Sequence, residues 1–510
     1  MDDSTTPNTP TSAGGMPSLV KHFSIEGLYG YRSLALDSEF AATVLIAKNG
    51  SGKTTLLGAL DAFLQGQFSR FAGLEFSVIR CRLAGVSDEL ILSQSDVEQL
   101  VTIPEGTELH AAAAYYEIEP HVLLEALHDV HLRTTREQLD NPAFYKIHAK
   151  LGYNIAKAKV VVDKLRQELA ARFPTIEEIR KKIRDTLGPI EIVYLPTFRR
   201  VEMSLPDIDD ARTGRRKLSM LARLGLSKRG LHSGDIQFGL ADISERLAKL
   251  HQEMLFQSNQ GYREISANII NDLISGEFDR ENPSLDQRPS PEALKIFFER
   301  VQEGRQMGPY EVMQIPDVDR IYKGTNLPEA SDKFLQYFLG KLNTVMKKTR
   351  GVEDVVEEFI RNCNRYLSAD DESATLEPSK RKSTRNDDDK LLKLDRRSLK
   401  VSVISVSTQR PIPLDALSSG EKQMISLFAR LYLYPTKKIV LIDEPELSLS
   451  LDWQRKILVD IVTAPSCVQV IAITHSPFVF DNDLDQFATS LKLRLNPIAS
   501  LDIDEEDGNA

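Results

Sequence analysis

The segment AKNGSGKTT at residues 47–55 constrains this chain more than any other stretch. The apolar run AATVLIA (41–47) leads into it, and the helix-like TTLLGALDAFL (54–64) follows. An uninterrupted apolar run of that length is the mark of a strand buried on both faces, as in a parallel sheet. The pattern is GxxxxGK[ST], with Ala47 standing where the first glycine usually lies. Gly50 and Gly52 let the backbone of Asn49, Gly50, Ser51 and Gly52 curl so that successive N–H groups face a phosphate. The helix opening at Thr54, followed by Thr55, adds its N-terminal partial positive charge. Lys53 is placed to reach the β- and γ-phosphates, and the Thr54 hydroxyl to ligate Mg²⁺. Strand, glycine loop and helix in that order predict an α/β fold binding ATP with Mg²⁺.

A second strand, IVLIDEPE (439–446), ends in adjacent acids. In open α/β sheets, ligands lie beyond the carboxyl ends of the strands. Asp443 is there to hold Mg²⁺, mostly through water, and Glu444 to polarise the attacking water as general base. A third strand, VQVIAIT (468–474), delivers His475. The segment LSSGEKQ (417–423) opens another helix. An ordinary helix cap accounts for its residue types too, with Ser419 as the cap and Lys422 and Gln423 in the first turn.

Taken in order, these motifs resemble those of ABC-type ATPases, whose signature LSGGQ precedes the acidic motif. Leu417, Ser418 and Gly420 match it; Ser419 replaces a glycine and Glu421 the glutamine. The resemblance implies that Ser418, Ser419, Gly420 and Glu421 meet the γ-phosphate bound by a second protomer, in a head-to-tail ATP sandwich. It implies that His475, 31 residues after Glu444, is the γ-phosphate-sensing histidine. It also implies that SLSLD (448–452) lies across the dimer seam, that Tyr29, Tyr31 and Arg32 stack on the adenine, and that a metal-contacting glutamine follows the first helix, for which Gln94 is the candidate. The fold expected is an ABC-type P-loop ATPase head with a mixed sheet, split by a large, mainly α-helical insertion.

The rest of the chain fits that organisation. Residues 1–18 are rich in Ser, Thr, Pro and Gly and are expected as a disordered tail. The head's N-terminal part then spans 19–104, followed by a helical insertion over 105–190, a head strand over 191–204 and further helical insertion over 205–367. A charged linker over 368–397 precedes the head's C-terminal part, 398–495, and an acidic tail, 496–510. In the first insertion, Val161, Leu165 and Leu169 share a helix face, which reads better as a helical subdomain than as a coiled-coil arm. The apolar faces of 158–173 and 293–301 are the candidate surfaces for joining dimers into a larger homo-oligomer.

Composition excludes several classes. Hydrophobic residues are 41% and charged residues 27%, which rules out a largely disordered chain. No apolar run reaches the roughly 18 residues of a membrane span. Three cysteines make neither a disulfide framework nor a zinc site, and the reduced cytoplasm is the expected compartment. The formal charge of −10 argues against a general polyanion binder.

Lys53 and Ser418 are 365 residues apart, a split resembling that of SMC, Rad50, RecF and OLD-like ATPases. The stretch DEPELSLSLDWQ resembles the AAA_15/AAA_21 branch, and the strings YLPTFRR (194–200), LSSGEKQ, DEPELSLS and THSPFVFDN (474–482) carry a finer likeness. Within that branch they look most like the AriA ATPase subunits of PARIS-type anti-phage defence systems, with the PtuA ATPases of Septu and retron systems next. About 20 residues follow Leu491, too few for the Toprim nuclease of an OLD protein. The resemblance therefore implies a separate nuclease effector, of Toprim or HNH type, and a phage trigger protein as partners. The other reading is a RecF- or Rad50-like repair ATPase that binds duplex DNA directly. Its best surface is 199–229, where nine basic residues, among them Arg199, Arg200, Arg215, Arg216 and Lys217, stand against four acids.

Overall fold

The computed structural model describes residues 13–101, 103, 105–128, 141–195, 240–275, 288–303, 315–322, 328–368, 389–413, 416–447 and 449–495. The basic segment 199–229 and the acidic tail 496–510 lie outside the described residues. Two compact units emerge, Met1–Gln237 with Thr436–Ala510, and Phe238–Pro435.

The first unit begins with β1 (Val20–Leu28), β2 (Arg32–Asp37) and β3 (Ala42–Ile46), then α1 (Lys53–Leu64). It continues through β4 (Val78–Leu83), β5 (Leu90–Ser93) and α2 (Gln94–Leu100). Next come α3 (Glu108–Tyr116), α4 (Pro120–His128), α5 (Pro142–Lys150), α6 (Ile155–Arg172), α7 (Pro174–Leu187) and β6 (Glu191–Leu195). The second unit holds α8 (Leu240–Ser275), α9 (Pro291–Glu303), α10 (Val318–Tyr322) and α11 (Glu329–Leu367). It also holds β7 (Lys390–Asp395), β8 (Lys400–Ser405), β9 (Pro411–Ile412) and α12 (Ser419–Tyr432). The chain then returns to the first unit with β10 (Lys438–Asp443), α13 (Leu451–Val462), β11 (Cys467–Thr474), β12 (Ala488–Ser490) and β13 (Lys492–Leu495).

Parallel and antiparallel strands of the first unit lie in separate five-stranded sheets. One is antiparallel, in the order β13-β2-β1-β4-β5, and the other is parallel, β12-β3-β11-β10-β6. Between them lies α1, touching β1 on one side and β6 and β10 on the other. That position explains its composition: from Leu56 to Leu64 every residue is buried, and a helix covered all round has no use for a polar face. Phe23, Ile25 and Leu34 from one sheet, Leu57, Leu60 and Phe63 from α1, and Leu441, Ile471 and Ile473 from the other share one core. A buried amide ties the layers together. Gln469 accepts from the N–H groups of Leu19 and Val20 (3.0 and 2.9 Å) and donates to Val20 O and Ser38 Oγ (both 3.0 Å). All of its polar atoms are thus satisfied in a dry setting, as burial requires.

In the second unit the long helices α8 and α11 pack side by side, with α9 and α12 against them. Gly261 sits directly against α11: a Cβ built there would meet the Val345 side chain at 2.4 Å. Only a residue without a side chain lets the two backbones come this near.

Several boundaries differ from those expected. Residues 13–18 are not tail. Pro17 bridges Phe40, the Ser18 hydroxyl donates to Ser38 O, and a Cβ on Gly14 would press on Phe487 at 3.0 Å. Gly14 leaves room for Ala42 and the Phe487 ring beside it. Helix α7 is no separate insertion: Ile176, Ile179, Ile183 and Leu187 enter the head core, and Arg180 donates to Gly66 O at 3.0 Å. The charged linker ends sooner than expected, because β7 pairs in register with β8, Leu392 opposite Val403. Residues 398–435 group with the helical unit rather than with the rest of the head's C-terminal part.

The two apolar faces proposed to join dimers are occupied within the chain. Ala158, Val162, Leu165 and Leu169 of α6 pack with Leu109, Leu123 and Phe144 in a helical subdomain. Leu294, Phe297, Phe298 and Val301 of α9 pack with Leu339 and Leu342 of α11. Among the described residues, no helix is long and apolar enough to cross a membrane.

Candidate functional site

Three parallel strands end together and set the site. Ile46, the last residue of β3, lies opposite Thr474, the last of β11, and Asp443, the last of β10, lies opposite Ile473. Whatever follows these strands must emerge at one edge: the glycine loop, the turn Glu444–Glu446, and His475.

The loop is held from both sides. Ala47 N donates to Thr474 O (3.1 Å), and Ser51 N to Lys48 O (3.3 Å). Gly50 and Gly52 have φ of 76° and 92°, the left-handed region that favours glycine. At Gly52 a Cβ would also strike Leu34 Cδ1 at 2.8 Å. Gly52 is the N-cap of α1 and offers no side-chain cap. The first-turn N–H groups of Lys53, Thr54 and Thr55 are therefore left for another acceptor. Arg32 donates to Gly50 O (3.1 Å), with its guanidinium carbon 5.2 and 5.3 Å from the ring centres of Tyr29 and Tyr31. Arg32 thus holds the loop, with the exposed Tyr29 and Tyr31 rings against its guanidinium.

Two of the expected groups, Lys53 and His475, lie against Glu444, and Thr54 meets the adjacent Asp443. Lys53 Nζ lies 2.6 Å from Glu444 Oε1 and donates to Asn49 Oδ1 at 3.2 Å. The Thr54 hydroxyl donates to Asp443 Oδ2 at 2.5 Å, and Asp443 is fully buried. His475 Nδ1 lies 3.8 Å from Glu444 Oε1. Glu444 itself has φ 52°, a conformation uncommon for a residue with a side chain and costing on the order of 1 kcal/mol or more. Its N–H donates to Ile473 O (2.8 Å), which pins the turn to the neighbouring strand.

Glu446 is a residue the sequence reading missed. It is 6% exposed. Its Oε1 lies 2.8 Å from His475 Nδ1 and accepts from His475 N–H at 3.1 Å, while Oε2 accepts from the Thr474 hydroxyl at 2.8 Å. As one of three acids in DEPE, it carried no separate signal.

Gln94 is not brought to this cluster. Its Oε1 accepts from Phe76 N–H (3.1 Å) and its Nε2 donates to Glu98 (2.7 Å), so the amide fastens the start of α2 to the segment before β4. The Ser418–Glu421 segment belongs to the other compact unit. There the cap of α12 is Ser418, not Ser419. Its hydroxyl accepts from Glu421 N–H (3.3 Å), and Glu421 Oε2 accepts from Ser418 N–H (2.7 Å), a reciprocal box. Lys390 Nζ lies 2.9 Å from both Glu421 oxygens. Gly420 is buried in the first turn, with Ser419 half-buried beside it.

The groups present suit ATP with Mg²⁺. Uncapped helix amides and Lys53 supply donors for phosphate oxygens. Thr54 and Asp443 offer adjacent hard oxygens, the ligand type Mg²⁺ takes alongside phosphate and water. Among the described residues no group of three or more His, Cys, Asp or Glu is placed to hold a metal ion.

No curated protein is similar enough to the chain to match it. The family model AAA_21, described as "AAA domain, putative AbiEii toxin, Type IV TA system", matches residues 227–481. That match covers half of the chain and takes in the Ser418 segment, Asp443, Glu444 and His475. With the P-loop ATPase architecture around it, the chain belongs to this family of AAA-type, nucleotide-binding ATPase domains.

Proposed function

We propose that this chain binds ATP with Mg²⁺, hydrolyses it slowly, and uses the cycle as a sensor and scaffold in anti-phage defence, controlling a separate nuclease effector. The observation that carries the catalytic part is the convergence of Lys53, Thr54, Asp443, Glu444 and His475 at one edge of the parallel sheet. The loop amides and Lys53 bind the phosphates, with Asn49 steadying the lysine. Thr54 and Asp443 would hold the metal, which would supply Lewis-acid stabilisation of the phosphoryl oxygens. Glu444 orients the attacking water once phosphate competes for Lys53. His475 faces the γ-phosphate side. Ser418 and the start of α12 complete the site of a second protomer, with the Lys390–Glu421 pair balancing the acid that stands where the signature has a glutamine.

The defence role draws on the family's description, which names a toxin system, and on the likeness to PARIS- and Septu-type ATPases in YLPTFRR, LSSGEKQ and DEPELSLS. The test is to purify the tagged chain from its own host with ATP, beside a Lys53→Ala control. A Toprim or HNH protein retained only by the ATP-competent chain supports the reading. Salt-dependent binding of duplex DNA with no nuclease partner would instead favour the repair ATPase.

A further inference from the structure

We infer that Glu446 is a positioning residue: it fixes the tautomer and the direction of the His475 ring, so that Nε2 is the nitrogen turned to the phosphate. The inference rests on the ATPase reading above and adds to it a residue with no assigned role.

The geometry leaves little freedom. One carboxylate oxygen of Glu446 meets both Nδ1 and the backbone N–H of His475, at 2.8 and 3.1 Å. A nitrogen lone pair that close to a carboxylate oxygen would be repelled, so Nδ1 carries the proton and Nε2 is left for the ligand side. The second oxygen accepts from Thr474, the last residue of β11, which ties the carboxylate to the strand that delivers the histidine. The turn carrying Glu446 is braced as well. Gln454 of α13 donates to the carbonyls of Glu446 (3.3 Å) and Leu449 (3.1 Å) and accepts from the Ser476 hydroxyl at 3.0 Å. Glu446 is buried while the His475 side chain is 43% exposed, so the carboxylate is the fixed member and the ring the one facing a ligand. This is the arrangement by which a buried acceptor orients an imidazole whose other nitrogen does the work. Glu444, two residues earlier, pairs with Lys53 at 2.6 Å and lies farther from Nδ1, at 3.8 Å, so Glu446 is the nearer acceptor for the ring.

The test uses the full-length chain and separates positioning from simple structural support. Glu446→Ala removes the acceptor. Glu446→Gln keeps one toward His475, and its amide can donate to the Thr474 hydroxyl, whose proton then turns to Ser476 O, 3.4 Å away. In ¹⁵N-histidine spectra, with the His475 signals assigned by their loss in His475→Gln, the parent and Glu446→Gln should show the Nδ1–H form. Glu446→Ala should show the mixture typical of a free imidazole. Turnover should fall about tenfold or more in Glu446→Ala, the size of effect expected when a group that acts on a proton or phosphate is mis-set. ATP affinity should stay within about twofold of the parent, and Glu446→Gln should keep most of the parental rate. The inference is overturned if Glu446→Ala keeps both tautomer and turnover, if its loss is wholly one of ATP affinity, or if Glu446→Gln loses the tautomer as completely as Glu446→Ala. A parent chain that does not hydrolyse ATP would sink the ATPase reading, and the spectra would still decide whether Glu446 holds the ring.

Discussion

The Thr54 hydroxyl donates to Asp443 across a 2.5 Å contact that closes 389 residues of chain. The two residues end separate stretches, one opening α1 and the other closing β10, and the parallel register of β3, β11 and β10 is what brings them together. Asp443→Asn keeps the shape of the contact and removes the charge. Mg²⁺-dependent ATP affinity should fall roughly 10- to 100-fold, the size of one charge-assisted interaction of about 1.5–3 kcal/mol. Metal-free nucleotide binding should hardly change. Calorimetric titration with and without Mg²⁺ distinguishes the two, and an equal loss in both would remove Asp443 from the metal.

Lys53→Ala should leave the fold intact, because the unbroken buried run of α1 starts only at Leu56. It removes the cation that pairs with Glu444 and would meet phosphate. ATP affinity should drop about 10- to 100-fold, and turnover should be lost. Circular dichroism and a nucleotide-binding titration check both halves; parental affinity in the variant contradicts the phosphate role.

Glu444→Gln should bind ATP and fail to turn it over, since an amide cannot take a proton from water. The expected loss is on the order of 10²- to 10⁴-fold in kcat, with the nucleotide trapped unhydrolysed. The amide also frees Lys53 from an ion pair, so ATP affinity should hold or rise. Single-turnover hydrolysis reads this directly, and a parental rate would mean that another group is the base.

The site was legible in the sequence wherever its chemistry was local. Strand, glycine loop and helix are contiguous around Lys53, and an apolar run ending in two acids is contiguous at Asp443. Glu446 was not legible, because its burial depends on the end of β11, some 28 residues further on. Gln94 follows a strand, as a metal-contacting glutamine would, but its amide is claimed by Phe76 and Glu98, neighbours that spacing cannot reveal. Sequence alone does not separate Ser419 from Ser418 as the helix cap, since adjacent serines offer the same chemistry and only the Glu421 box distinguishes them. The strand Lys390–Asp395 was hidden by the charge run before it; its register comes from β8. The faces of α6 and α9 looked free because their covering residues come from other helices.

Three buried or half-buried thiols predict an alkaline loss of stability. Burial pushes Cys467 up to about 12 and holds Cys81 and Cys363 well above the ordinary thiol value. In the unfolded chain these thiols ionise near ~8.5. Above that pH the unfolded chain binds fewer protons than the folded one, so stability falls as pH rises toward the folded values. Each thiol adds up to about 1.4 kcal/mol per pH unit to that fall. Urea melts at pH 8 and pH 10 should show the decline, and Cys81→Ala should make it shallower by about that slope. An unchanged slope in the variant would show that Cys81 ionises alike in both states.

The last prediction concerns the shared site. If the Ser418 segment of one protomer completes the nucleotide site of another, each site needs Lys53 from one chain and Ser418 from its partner. Ser418→Arg removes the cap of α12, a loss of about 1 kcal/mol, and puts bulk where phosphate would approach. The Leu427, Phe428 and Leu431 side chains that anchor the helix remain buried, so the variant should fold. Lys53→Ala and Ser418→Arg chains should each be inactive alone, since every site in either homodimer carries a defect. In a two-fold, head-to-tail dimer of the two variants, both defects fall in one site and the other is intact. Mixing them should therefore restore part of the parental ATPase rate, up to about half for each mixed dimer if one site fires alone, against none in either parent preparation. Recovery requires the two sequences to meet in trans. A Ser418→Arg chain with full activity by itself would show that α12 takes no part in the site.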